Sequence, residues 1–271
     1  MAWSHLQQGA TRSLEGLGRG VARGLDGIGF GTALLGQSAY WLVLGSRRRQ
    51  PVRAASVARE MMDVGIAAIP IVTVLAGTIG VMLALQGIDA LEPFGAQHQV
   101  TLGVALSITR EFAPLITGII VAGRSGSALS ARLGTMQINN EVDALSVMGI
   151  HPVRYLVVPS LVALVVMVPA LAVWADLVGL ATAGLYISGD LGITFAAYAE
   201  QVEAAIEAED VLHGVSKAAI FGGLIALVGV VNGSQVRGGA EGVGRATTSA
   251  VVQAITVIVL ADLLFVFAAT R

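Results

Sequence analysis

Five stretches of this chain are long, apolar and almost free of charge, and lipid is the solvent such stretches need. Residues 64–85 carry no charged side chain at all. About 20 mostly apolar residues in a helix cross the hydrocarbon core of a bilayer, so this stretch is long enough. Residues 102–121, 155–187, 211–231 and 246–269 are of the same kind. They are interrupted only by Arg110 and Glu111, by Asp176, by Lys217 and by Asp262 respectively. Backbone polar groups must be satisfied within each such segment, which selects helices. Residues 155–187 exceed the bilayer thickness as a helix, so this span must tilt or project. Pro70 is expected to kink the first span. The chain is 55% hydrophobic and 13% charged, whereas soluble domains are about 25% charged. The fold class is therefore an all-α integral membrane protein. It has an N-terminal interfacial helix, five transmembrane helices and a short cytoplasmic helix between spans 2 and 3.

The first 60 residues read as a cytoplasmic and interfacial region, with residues 61–271 as the membrane domain. Met1 to Gly29 has no continuous apolar core of a signal peptide, and Arg12, Glu15, Arg19, Arg23 and Asp26 recur through it. From Leu14, the apolar residues Leu17, Val21, Leu25 and Ile28 follow at steps of three or four, which marks one face of a helix. It lies along the membrane surface or packs on a partner. Tyr40 and Trp41 suit the headgroup zone, and Arg47, Arg48, Arg49, Arg53 and Arg59 form a cytoplasmic basic cluster. With the N-terminus inside, residues 86–101 and 188–210 fall outside, and neither contains a Lys or Arg. The segments 122–159 and 232–245 fall inside, and both carry arginine. This obeys the positive-inside rule and puts the C-terminus outside. A short surface helix is expected over residues 196–208.

Residues 122–159 form a polar insert between spans 2 and 3, with three arginines and two acids. Residues 138–148 carry an amphipathic helix pattern closed by Gly149 and Pro152. Such a helix on the cytoplasmic side is a docking surface, and it suggests transport powered by another protein. In span 4, Gly214, Ala218, Gly222 and Ala226 recur at every fourth residue. Small residues on one stripe let helices approach closely, within a chain or between copies.

Arg110, Glu111, Asp176, Lys217 and Asp262 lie within or near hydrocarbon, where each costs at least about 2.5 kcal/mol unless paired or solvated. Adjacent residues point about 100° apart on a helix, so Arg110 and Glu111 need partners elsewhere or a wet cavity. They line a substrate path or form interhelical pairs, and both readings stand.

Other chemistries are excluded. Lys217, the single lysine, follows Ser216 and precedes Ala218, so no Gly-Lys-Ser/Thr phosphate loop exists. Without cysteine there are no disulfides or thiolate metal sites. His5, His98, His151 and His213 lie far apart, which disfavours a metal centre. Gly123-Arg124-Ser125-Gly126-Ser127 departs from a nucleophile elbow at its last residue, and is expected to make a tight turn or a helix contact.

Several motifs resemble the MlaE/YrbE family of permeases. They are Thr109-Arg110-Glu111-Phe112-Ala113-Pro114 and Ala122-Gly123-Arg124-Ser125-Gly126-Ser127-Ala128-Leu129. Glu141, Asp143-Ala144-Leu145, Met148-Gly149 and Pro152 to Pro159 continue the likeness, and Gly244-Arg245-Ala246-Thr247-Thr248 with Val251-Val252 completes it. In that family such chains serve ATP-binding-cassette systems for intermembrane lipid transport with MCE proteins. The resemblance implies two copies of the chain around a lipid cavity, in the bacterial inner membrane. It implies a coupling helix from Glu141 to Gly149 (Glu141, Asp143, Ala144, Leu145, Met148 and Gly149) seated in an ATPase subunit that binds ATP-Mg. It implies an MCE-domain protein on the outer face, which the N-terminal helix helps to hold, and a cavity lined by spans 1, 2 and 5. This chain itself would bind no cofactor, metal or nucleic acid. A phospholipid tail needs an apolar wall, with Leu83 a candidate. A headgroup needs polar partners, with Gln86, Arg110, Glu111 and Lys217 as candidates. Two alternatives differ in class. One is an ion-coupled secondary transporter of a hydrophobic substrate, although five spans do not divide into equal repeats. The other is a membrane hydrolase using Ser125 or Ser127, which lacks a base.

Overall fold

The computed structural model describes residues 29, 31–34, 36–42 and 52–269. The interfacial pattern over residues 6–28 and Arg47, Arg48 and Arg49 lie outside them. Among the described residues there is no strand, and five helical segments are long and apolar enough to cross a membrane. The first contains α1 (Ala54–Val64) and α2 (Ile69–Leu91). The second contains α3 (Val100–Ser107), α4 (Ala113–Val121) and α5 (Ser127–Ile138). A short helix, α6 (Glu141–Val147), follows, then the long α7 (Val158–Leu191). The surface helix α8 (Phe195–Ala205) leads to α9 (Ala208–Ser234) and α10 (Gly239–Ala269).

The five expected spans are present, but three local expectations are corrected. The kink expected at Pro70 falls one turn earlier. Proline is tolerated in a helix's first turn, so Pro70 opens α2 and the break lies at Gly65–Ala68 before it. The second span does not end at Val121 as expected. Span 2 runs on helically to Ile138, and α5 packs against α9 and α10. The Gly123–Ser127 run makes the expected helix contact but no tight turn. It is a widened π-helical turn, Ala122–Gly126. There the Ser127 hydroxyl donates to the carbonyls of Gly123 (2.5 Å) and Arg124 (2.9 Å).

Two more π-helical turns precede prolines: Ile108–Phe112 before Pro114, and Val153–Val157 before Pro159. Proline lacks an N–H and its ring crowds the carbonyl four residues back, which favours a wider turn.

α7 is the centre of the bundle. Of its most apolar window 61% is buried, against 22% in the first span and 17% in α10. The outer two spans therefore face lipid or another chain. Between α2 and α7 the backbones nearly touch. A side chain on Gly80 would collide with the Gly179 carbonyl, and Thr182 Oγ1 donates to Gly77 O at 3.0 Å. The small-residue stripe of span 4 is an intrachain interface. A Cβ on Gly214 would strike the Thr109 carbonyl, and one on Gly222 the Leu164 carbonyl. Ala218 and Ala226 are buried beside them. Gly229 and Gly233 extend the contact onto Gly126 and Ser130 of the insert.

α8 covers most of the expected 196–208 segment, starting one residue earlier and ending three residues sooner. Its Tyr198 is buried and donates to Leu180 O at 2.9 Å. Burial pushes that phenol up to about 12. Trp41 packs on His151 at 5.1 Å between ring centroids, with the Arg154 guanidinium 5.6 Å above its ring. The helical residues before position 52 thus rest on the stretch after α6.

Candidate functional site

Four of the five charges that the sequence placed in lipid, Arg110, Glu111, Lys217 and Asp262, converge at one end of the bundle. Arg110 and Glu111 sit in the π-helical turn of span 2. Asp210 and Lys217 lie seven residues apart on α9, two turns along one face. Glu111 Oε2 meets Lys217 Nζ at 2.6 Å, and Asp262 Oδ1 from α10 meets the same nitrogen at 2.9 Å. Lys217 also donates to the Arg110 carbonyl at 3.1 Å. Pro114, four residues on, has no N–H to offer that carbonyl in the α-helical pattern, so the lysine serves an acceptor the proline leaves short. The Lys217 side chain is 0% exposed. Two carboxylates and a carbonyl surround this enclosed ammonium and offset the cost of taking it out of water.

Arg110 reaches the opposite way. Its Nε donates to Asp210 Oδ1 at 2.5 Å, and its Nη2 pairs with the same oxygen. Asp210 also accepts from the Glu207 amide at 2.8 Å, and Glu207 in return caps the N-terminus of α9. One buried carboxylate therefore closes a capping box and holds an arginine. The Arg110 side chain remains 50% exposed and Glu111 36%.

Beside them opens a cavity of about 480 Å³, lined by Arg110, Glu111, Glu209 and His213, with Phe265, Val266 and Ala268 from the end of α10. A second groove of about 290 Å³ lies between α2 and α3, with Leu83, Gln86, Gly87, Gln99 and Gly103 in its lining. The two linings share no residue. Arg110, Glu111 and Lys217 are thus brought together, whereas Leu83 and Gln86 sit elsewhere. Lys217 is sealed behind the cavity as a shared counter-ion and does not line it. Asp262 proves to be one of its partners. Asp176, in mid-span on α7, has an enclosed oxygen without a hydrogen-bond partner among the described residues. The sequence reading missed Asp210, which falls in the segment 188–210 expected outside, along with Glu209, His213 and Phe265. The seven-residue spacing of Asp210 and Lys217 was the available signal.

The opposite end carries the other candidate surface. Asn140 adopts a left-handed conformation (φ 56°) that separates α5 from α6. The helix expected from Ile138 therefore starts at Glu141, since asparagine tolerates this geometry and a helix cannot run through it. Glu141, Asp143, Ala144, Met148 and Gly149 are exposed and Leu145 is buried. Val147 is 89% exposed and Met148 65%, an apolar tip beyond an acidic first turn. Gly149 at φ 76° ends the helix, and the Ile150 amide returns to Leu145 O at 2.9 Å. Above α6, Arg132 pairs with Glu60 of α1 and donates to Ser160 Oγ of α7 at 3.0 Å. Arg124 donates to the Asp63 carbonyl at 2.9 Å. These bonds tie α5, and the π-helical turn before it, to α1 and α7.

A bundle of membrane-spanning helices, with charges paired beside a cavity at one end and a short exposed helix at the other, defines a polytopic membrane protein of the transporter class. The chain belongs to the MlaE permease family, whose profile (Permease MlaE) matches residues 57–268. It is an ABC transporter permease by that membership. A probable ABC transporter permease protein of Rickettsia typhi is 33% identical over 226 residues, covering 83% of this chain and 86% of that one. The intermembrane phospholipid transport system permease protein MlaE of Haemophilus influenzae is 29% identical, covering 75% and 78%. The chloroplastic protein TRIGALACTOSYLDIACYLGLYCEROL 1 of Arabidopsis thaliana is 34% identical over 68% of this chain and 53% of its own length.

Proposed function

We propose that this chain is the permease subunit of an ATP-driven transporter that moves phospholipid between the inner membrane and an MCE-domain protein on the outer face. The observation that carries the reading is the cavity at Arg110 and Glu111, half-open and flanked by apolar span surface, at the end of the bundle away from α6. The name of the Haemophilus relative supports a phospholipid cargo. Two copies pair through the exposed outer spans. The N-terminus and α6 face the cytoplasm, and the C-terminus faces the periplasm. ATP-Mg is held and hydrolysed by separate ATPase subunits that dock on α6.

The path of coupling follows the packing. α5 enters α6 directly, and α5 lies against α9 where glycine replaces side chains. Further along, α9 carries Lys217 and Asp210. A rigid-body shift of α6 therefore moves the far end of α9 relative to span 2, and with it the cavity wall. The ion-coupled alternative is weaker, because four of the five intramembrane charges are engaged in interhelical pairs.

Changing Glu141 and Asp143 together to Lys should reduce co-purification of the ATPase subunit about tenfold or more, since reversed charge across an interface costs several kcal/mol. The melting temperature should stay near that of the native chain, because both side chains are exposed. Unchanged co-purification and transport would overturn the docking role. In the second groove, Gly103 has no atom within 4 Å of where its Cβ would lie. Gly103→Leu should fold normally and fill the groove. Slower transport by the assembled complex would make this groove a tail site, and unaltered transport would remove Leu83 and Gln86 from the path.

A further inference from the structure

The cavity beside Arg110 is unbalanced in charge. Its wall presents one guanidinium, Arg110, against two carboxylates, Glu111 and Glu209. Asp210, Lys217 and Asp262 stand directly behind. Four carboxylates therefore face two fixed cations. Two of Arg110's nitrogens, Nε and Nη2, are held by Asp210, so one of the two edges by which a guanidinium grips a phosphate is already engaged. Glu111 gives one oxygen to Lys217, and its other oxygen has no hydrogen bond or ion pair among the described residues. Glu209 is exposed and, among the described residues, has no ion pair. Carboxylate oxygens accept hydrogen bonds and never donate them. The site is complementary to a ligand end that carries donors and positive charge. The approach has the same character. Residues 86–101 and 188–210, at this end of the bundle, hold Asp89, Glu92, Asp190, Glu200, Glu203 and Glu207, with no Lys or Arg. His213 and Phe265, edge to face at 5.9 Å, add a ring surface of the kind that attracts a cation.

We infer that this cavity selects lipids with a primary-ammonium, zwitterionic headgroup over lipids whose headgroup is only anionic. This rests on the lipid-permease reading and adds the headgroup to it. The ammonium sits against Glu111 and Glu209, and the phosphate takes the remaining edge of Arg110. A headgroup without the amine meets surplus negative charge with nothing to offset it.

The full-length chain, equilibrated with vesicles of equal phosphatidylethanolamine and phosphatidylglycerol and re-extracted in mild detergent, can be weighed with its bound lipid by native mass spectrometry. Enrichment of the ethanolamine lipid by about threefold is expected, the size of one exposed ion-pair contact. Glu209→Gln should bring the ratio towards one, and Glu209→Lys should invert it. Glycerophosphoethanolamine in solution should not displace the lipid. Displacement would reassign the site to a soluble amine and overturn the inference. Bound lipid at an unselected ratio would also overturn it, while leaving the permease reading intact. A chain that retains neither lipid would instead sink the permease reading.

Discussion

Lys217→Met should be the most damaging single substitution in the chain. It removes the one cation shared by Glu111 and Asp262 and leaves both carboxylates, Asp262 largely enclosed, without that counter-ion. Breaking a buried ion pair from one side costs about 3–5 kcal/mol. Loss of folded protein in detergent, read as a fall in melting temperature or in monodisperse yield, is the expected outcome. A triple change of Lys217→Met, Glu111→Gln and Asp262→Asn should recover much of that loss, since replacing a whole buried charge group is far milder than orphaning part of it. Recovery of folding without recovery of transport would separate the two duties of this cluster, holding spans 2, 4 and 5 together and shaping the cavity. A Lys217→Met chain as stable as the native one would show that the pairs hold nothing.

Gly222→Val comes next. A Cβ there falls on the Leu164 backbone, 2.8 Å from its carbonyl carbon, and 3.1 Å from the Val165 Cα. Backbone atoms inside α7 cannot swing aside as a side-chain tip can, so the helices must separate. Overpacking of a tight core costs about 1–3 kcal/mol, and contact with backbone puts this case at the upper end. Gly123→Ala is the control, because nothing lies within 4 Å of that position. The pair can be compared by thermal unfolding in one detergent. Equal stability would mean that α7 and α9 are not in register as described.

Spans were legible in the sequence because hydrophobic length is a property of single segments. The same holds for the exposed acids of α6. What one segment cannot report is its neighbour. Asp210 looked like one more acid in an acidic loop, yet it caps α9 and holds Arg110, because the helix begins two residues before it. Lys217 and Asp262 were noticed as costly charges, but their pairing depends on how α9 and α10 rotate. The stripe from Gly214 to Ala226 marked a close contact without saying whose. Only the Thr109 and Leu164 carbonyls beside it make it internal. Pro70 misled because a proline marks where an amide is missing, and a helix can start there as readily as bend. Leu83 and Gln86 are close to Arg110 in sequence terms but lie in a separate groove between α2 and α3.

The cluster around Lys217 also bears on how the chain is made. Span 2 brings Arg110 and Glu111 into the membrane, and their partners lie 100 and 106 residues further on. During synthesis span 2 must wait with two bare charges and, at Arg110, a carbonyl that Pro114 does not serve. Its solvation is finished by a helix not yet translated. Span 2 is therefore a poor inserter on its own and a committed one once α9 arrives, so the order of biogenesis is written into the ion pairs. A nascent chain halted before Ala208 should leave span 2 readily extracted from the bilayer, and extension through Lys217 should fix it there.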